Sequence, residues 1–257
     1  MLTLRQTAVC ALVAGFSFAG AASAQVRSWN MGDITPTGSC ASSAGGTTAA
    51  FGNTWNCSEQ PTGSATTLQV SAFSNNSGST YAAAAVNYQG VNLGIGAYNT
   101  TEGLAASSPD HSVDNSGLGM DMMLLSFTTS QILKSVSFGW TNGDADFQVL
   151  RWTGGALTAT AGRTAAQLLT DGWALVSNVD GSAAGTYGVN TGNLSSSYWL
   201  VTAFNSAFGG TAGSVGVDGF KLLGVSSGLP GTSVSSPGTL ALAGLALVGM
   251  FGVRRRA

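Results

Sequence analysis

From residue 67 onward, short runs rich in β-branched, aromatic and aliphatic residues alternate with clusters of Gly, Ser, Thr and Asn. The runs fall at 67–73, 81–88, 91–98, 121–127, 132–140, 146–152, 173–179, 198–204 and 215–223. Several have a period of two: Val136, Phe138 and Trp140 alternate with Ser135, Ser137 and Gly139, and Phe147 and Val149 repeat the pattern in the next run. That period belongs to strands with one face buried. Asn142-Gly143 lies between these two runs and predicts a tight hairpin joining them. Helical spacing is confined to 164–169, where Thr164 can serve as the N-cap. Residues 25–66 are Gly/Ser/Thr-rich and weakly patterned, which predicts an edge strand, a loop and connections. About nine strands with polar connections predict an all-β domain, a two-sheet antiparallel β-sandwich of jelly-roll type.

The two ends of the chain depart from this pattern. Arg5 precedes an apolar stretch from Ala8 to Ala19, and Ala22-Ser23-Ala24 forms a small-x-small site. These features predict a secretory signal peptide cleaved between Ala24 and Gln25. The apolar stretch is shorter than the ~20 residues needed to span a bilayer. At the other end, residues 238–253 carry no charge and run directly into Arg254, Arg255 and Arg256. A helix of that stretch would be about 24 Å long, slightly short of the ~30 Å hydrocarbon core. It predicts a single C-terminal transmembrane helix whose arginines remain in the cytoplasm. Residues 225–237 read as a Gly/Ser/Pro linker. The expected organisation is therefore a signal peptide (1–24), a β-sandwich ectodomain (25–224), the linker (225–237) and a tail (238–257).

Composition narrows the function classes. Eleven acidic residues face five basic ones (Arg27, Lys134, Arg151, Arg163 and Lys221) between the two terminal segments. No basic patch is present, so nucleic acid is excluded as a partner and anionic lipid is a poor one. Charged residues make up only 8% of the chain, whereas hydrophobic residues reach 44%; solubility rests on Ser, Thr, Asn and Gly, and the apolar content argues for a packed core rather than disorder. Cys10 leaves with the signal peptide, so Cys40 and Cys57 remain as an even pair in an oxidising compartment. A disulfide is expected. It would close a loop of roughly 16 to 18 residues, worth about 3 kcal/mol of chain entropy. A metal pair is the alternative, although no histidine or further cysteine lies near to complete it.

Pro237-Gly238-Thr239-Leu240-Ala241-Leu242, the apolar stretch and the closing arginines together resemble the sorting signal of exosortase substrates, the PEP-CTERM proteins. Where that family has Pro-Glu-Pro, this chain has Ser235-Ser236-Pro237. The resemblance implies the Sec translocon, signal peptidase and an exosortase-type transpeptidase as partners. It also implies transient anchoring in the inner membrane, removal of the tail, and delivery to the cell surface or extracellular matrix. A second resemblance rests on Asp110-His111-Ser112-Val113-Asp114-Asn115, Asp121 to Phe127, Ser135 to Trp140, Asp144-Ala145-Asp146 and Val217-Asp218-Gly219-Phe220. This block is similar to a family of exosortase-dependent surface proteins with a His-x-x-Asp-Asn loop, to which no enzymatic activity attaches.

No residue in the block reads as catalytic. His111 is the sole histidine, and a general base needs a nucleophile and an orienting group beside it. We expect His111, Asp114 and Asn115 to order a loop at one end of the sandwich, with Asp144 and Asp146 flanking a neighbouring turn. Asp110, Asp114, Asp121, Asp144, Asp146 and Asp218 offer oxygen ligands suited to a structural calcium ion, but their spacing matches no EF-hand loop. Asx-turn chemistry accounts for the same residues without metal, and no other cofactor is implied. Gly224-Val225-Ser226-Ser227-Gly228 matches a nucleophile-elbow pattern by letter but lacks the strand-to-helix setting. The two glutamates, Glu59 and Glu102, fall in unpatterned loops, which disfavours a glycosidase pair. Trp55, Trp152 and Trp173 suit either core packing or stacking on sugars. Three readings follow: a non-enzymatic structural or adhesive surface module, a lectin-like module held in exopolysaccharide, and a hydrolase with an unrecognised site.

Overall fold

The computed structural model describes residues 26–34, 40–60, 66–76, 78–105, 109–117, 119–181, 183–213 and 216–231. The segments expected to be a signal peptide (1–24) and a sorting tail (238–257) lie outside them. The described strands are β1 (Val26–Asn30), β2 (Cys40–Ser42), β3 (Thr54–Ser58), β4 (Thr67–Ser74), β5 (Ala82–Gly90), β6 (Gly94–Tyr98), β7 (Val113–Asp114) and β8 (Asp121–Thr141). After these come β9 (Phe147–Trp152), helix α1 (Ala165–Asp171), β10 (Trp173–Val179), β11 (Gly185–Gly188), β12 (Ser196–Ala203) and β13 (Gly219–Gly228).

Strand β8 decides the architecture. Its first half pairs with β4 on one edge and β12 on the other, and its second half pairs with β13 and β11. Pairing then runs from β8 through β13, β6, β5 and β4 back to β8, closing a five-stranded ring. Strands β3 and β2 extend the sheet beyond β4, and β12, β9 and β10 extend it beyond β8. The expected two-sheet jelly-roll sandwich is thus replaced by one 13-stranded hydrogen-bonded sheet. The cause lies at Thr128-Thr129-Ser130, whose polarity reads as a break between two strands. Thr128 and Thr129 are exposed side chains on a continuous 21-residue strand that carries the ladder from one half to the other. No helix among the described residues is long and apolar enough to cross a membrane; the stretch expected to form a transmembrane helix, 238–253, lies outside those residues.

The hairpin expected at Asn142-Gly143 is also corrected. Gly143 does take a positive φ of 82°, but β9 pairs with β12 and β10, and β12 lies between β8 and β9. The end of β8 is already engaged by β13, with Trp140 opposite Lys221 and Thr141 opposite Phe220. The chain therefore crosses to another part of the sheet. The linker assignment changes as well. Val225 to Gly228 continue β13 and pair with β1 and β8. Ser227 Oγ donates to Gln131 Oε1 at 2.8 Å, and Ser226 Oγ lies 2.6 Å from Ser135 Oγ. A serine-rich segment that looks like a spacer is a strand whose hydroxyls have partners. The Gly224–Gly228 letter pattern thus sits inside β13.

Apolar side chains fill both faces of the first half of β8. Met123 and Leu125 join the main core with Trp29, Trp55, Val70, Phe138, Phe147 and Phe220. Met122 and Leu124 join a second cluster with Leu150, Trp152, Leu168, Trp173, Leu200 and Phe208. The unbroken run Met122–Leu125 is what a strand covered on both faces requires. Helix α1 supplies part of that cover, turning Ala165 and Leu168 inward. A capping box starts it: Gln167 N donates to Thr164 Oγ1 at 3.2 Å, and Thr164 N donates to Gln167 Oε1 at 2.9 Å, satisfying two otherwise orphan donors. Cys40 and Cys57 sit directly opposite on β2 and β3 and form a disulfide.

Candidate functional site

The acidic residues of the central block divide into two groups. Glu102, Asp114 and Asp121 each offer a carboxylate oxygen, all within 4.8 Å of one another, and so do Asp144, Asp146 and Asp218. The members of the first group come from separate elements. Glu102 follows β6, Asp114 ends β7, and Asp121 opens β8 opposite Ser74 of β4. Glu102 is held by a turn built on Asn99, whose Oδ1 accepts from Thr101 N at 2.9 Å and Glu102 N at 3.0 Å. Asn99 N in turn donates to Glu102 Oε2 at 3.1 Å. Asp114 Oδ1 accepts from Ser116 N at 2.9 Å, and its Oδ2 accepts from Ser112 Oγ at 3.4 Å.

Asp121 differs from its neighbours. It is 0% exposed, and neither of its carboxylate oxygens receives a hydrogen bond. Ser74 and Asn99 lie close enough to favour its charge, yet neither reaches hydrogen-bonding geometry on it. Burial, with the charges of Asp114 and Glu102, pushes its carboxyl well above the usual carboxylate range. Burial also raises Glu102 to about 7 and Asp114 to about 6, with repulsion from Asp110 adding to both. Desolvation and like charge both disfavour ionisation, so this group is under electrostatic stress.

The second group is bound up in loop chemistry. Asp218 Oδ1 accepts from Asp146 N at 2.9 Å, and its Oδ2 accepts from Asn115 Nδ2 at 2.6 Å. Asn115 answers with its own Oδ1, which accepts from Asp218 N at 2.8 Å. Asp144 Oδ1 accepts from Ala145 N at 3.0 Å, and Asp146 Oδ2 accepts from Gly213 N at 2.6 Å. Burial raises Asp218 to about 6. These carboxylates mainly satisfy backbone donors that turns leave unpaired.

The adjacent residues His111, Asp114 and Asn115 thus go three ways. Asp114 joins the first acidic group and Asn115 clamps Asp218. His111 Nε2 lies 2.7 Å from Lys221 Nζ, and that ammonium sits 4.6 Å from the centroid of the Trp140 ring, a cation–π distance. Burial lowers the Lys221 pKa. Asp110 acts on the first group through its charge. The two glutamates have different partners, Glu59 pairing with Arg27 at 3.4 Å while Glu102 joins the acidic group. Sequence reasoning passed over Glu102 as an unpatterned loop residue. The available signal was the Asn-x-x-Glu spacing from Asn99, which builds the turn that presents it.

Trp55 and Trp173 are core residues, 0% and 2% exposed. Trp152 packs edge-on against Trp173 at 5.5 Å and also lines a groove of about 270 Å³ with Arg151, Thr153, Ser195 and Tyr198. Tyr198 is shared with a wider concavity of about 480 Å³ over the sheet face, which carries Asn56, Gln69, Ser71 and Ser126. No protein-family model matches the chain, and neither a curated protein nor a solved structure shows significant similarity to it.

Proposed function

We propose that this chain is an exported protein of the cell surface or extracellular matrix, sorted by an exosortase-type system, whose β domain is a non-enzymatic structural or adhesive module. The observation that carries this reading is the Cys40–Cys57 disulfide, because such bridges persist in oxidising compartments outside the cytosol. The Ala22-Ser23-Ala24 site and the Arg254–Arg256 ending agree with it. On this reading the chain meets the Sec translocon and signal peptidase, and then an exosortase-type transpeptidase that removes the tail. The intact mass of protein extracted from the cell surface is the test. A species beginning at Gln25 and lacking the three terminal arginines is expected; a surface species that retains them refutes the sorting mechanism.

A second reading, a carbohydrate-binding module retained in exopolysaccharide, is favoured by the groove around Tyr198. Aromatic faces beside Asn, Gln, Ser and Arg groups suit sugar rings and their hydroxyls. Polysaccharide pull-down separates the two readings. Retention that Tyr198→Ala abolishes, without a change in melting temperature, would establish the lectin-like role.

A further inference from the structure

We propose that Glu102, Asp114 and Asp121 form a calcium-binding site that ties the β6–β7 loop region to the start of β8. This inference stands independently of the export reading.

Proximity of acidic groups alone would not distinguish this site from the group at Asp144, Asp146 and Asp218, which is equally compact. The difference lies in how the oxygens are used. In that second group every carboxylate accepts at least one hydrogen bond: Asp218 on both oxygens, from Asp146 N and Asn115 Nδ2, Asp144 from Ala145 N, and Asp146 from Gly213 N. Asp121 receives none on either oxygen although it is fully buried, and Glu102 Oε1 is likewise without a hydrogen-bond donor. Three unsatisfied carboxylate oxygens are thus contributed by two residues of one cluster. A buried carboxylate stripped of water is strongly disfavoured unless it is paired or coordinates a metal. The neighbouring charges that act on Asp121 are those of Asp114 and Glu102, and they add to the disfavour. Among the described residues, the ion pairs Arg27–Glu59 and Arg163–Asp171 lie elsewhere, and Lys221 is engaged at His111 and Trp140.

The chemistry selects the ion. The ligands are all oxygens, which suits a hard cation and not zinc or copper. Calcium holds oxygens at about 2.3–2.6 Å, so ligands on one ion can be up to about 5 Å apart, and the three carboxylates lie within 4.8 Å of one another. Magnesium requires a tighter, near-octahedral shell and retains several waters, which the buried side of Asp121 disfavours. The ligands are also positioned in advance. Asp121 is fixed by its rung opposite Ser74, Asp114 by its rung opposite Gly219, and Glu102 by the Asn99 turn. A cation here would link elements that the chain itself joins only through loops.

The test is thermal melting of the purified protein in EGTA, in 10 mM CaCl2, and in MgCl2 or NaCl of matched ionic strength, together with calcium counted per chain by equilibrium dialysis. Wild type should bind one calcium ion, and its midpoint should rise by about 5–10 °C if the calcium concentration is ~100-fold above Kd. Asp121→Asn should lose both the shift and the bound ion. Should that buried variant fail to fold, Glu102→Gln, on a half-buried loop, should weaken binding at least 10-fold. Asp218→Asn should keep the calcium shift. An unchanged wild-type midpoint would overturn the proposal. So would a shift of equal size in magnesium or sodium, one that survives both ligand variants, or one lost in Asp218→Asn instead.

Discussion

Removing the Cys40–Cys57 bridge by the double substitution Cys40→Ala/Cys57→Ala should lower the melting temperature by about 6–12 °C. The bridge joins residues 17 apart in sequence, and closing a loop of that length removes about 3 kcal/mol of chain entropy from the unfolded state. For a domain of this size each kcal/mol corresponds to about 2–4 °C. The structure indicates that the folded side of the equilibrium will feel the loss as well. Strand β2 is three residues long and pairs along its length with β3, so the bridge clamps a short edge strand that has little ladder of its own. Beside it on β3, Trp55 is fully buried and stacks on Tyr88 at 6.2 Å. Fraying of β2 therefore loosens the cover over the main core. Both cysteines are buried, and alanine at each site leaves a small void that adds to the cost. Calorimetry on wild type, the double variant and dithiothreitol-treated wild type is the assay, with hydrogen exchange reporting on the β2–β3 rungs. A fall below about 2 °C in both perturbed samples would refute the loop-closure argument.

Gly96→Ala should destabilise by about 3 kcal/mol, because a Cβ there would enter the van der Waals shell of the His111 carbonyl oxygen and crowd Asn87 Oδ1; a fall in midpoint under 2 °C would show that the His111 loop yields easily. Asp218, raised from 3.8 to about 6 by burial, should contribute a pH dependence of definite sign. A carboxyl with a raised folded-state pKa favours folding below its unfolded pKa, and that contribution disappears as pH climbs through the folded value. The midpoint of wild type relative to Asp218→Asn should therefore fall between about pH 4 and pH 7, and parallel profiles would contradict the assignment.

Local pattern located most of the longer extended segments of this protein, though not the short strands β2, β3, β7 and β11, and for a local reason. Side-chain alternation and turn residues reveal which segments are extended, as at 173–179, which is β10 to the residue, and at Thr164, which caps α1. An even cysteine pair likewise pointed to the bridge. Which strand lies beside which is a non-local matter, and there the pattern was silent. Thr128-Thr129-Ser130 falls in the gap between two runs of the pattern but is the middle of β8, and the Asn142-Gly143 turn leads away from β8 because β13 already holds that edge. The Ser-rich end of β13 looked like a linker because its polar side chains find partners only once β8 is alongside. The acidic block shows the same division. Its aspartates were visible as potential oxygen ligands, but only the closed ring of strands sorts them into one group in which every carboxylate accepts at least one hydrogen bond and another, completed by Glu102, in which both oxygens of Asp121 and one of Glu102 receive none. Residue type sets what a side chain can do, whereas the tertiary fold sets which groups share its surroundings and whether water still reaches it.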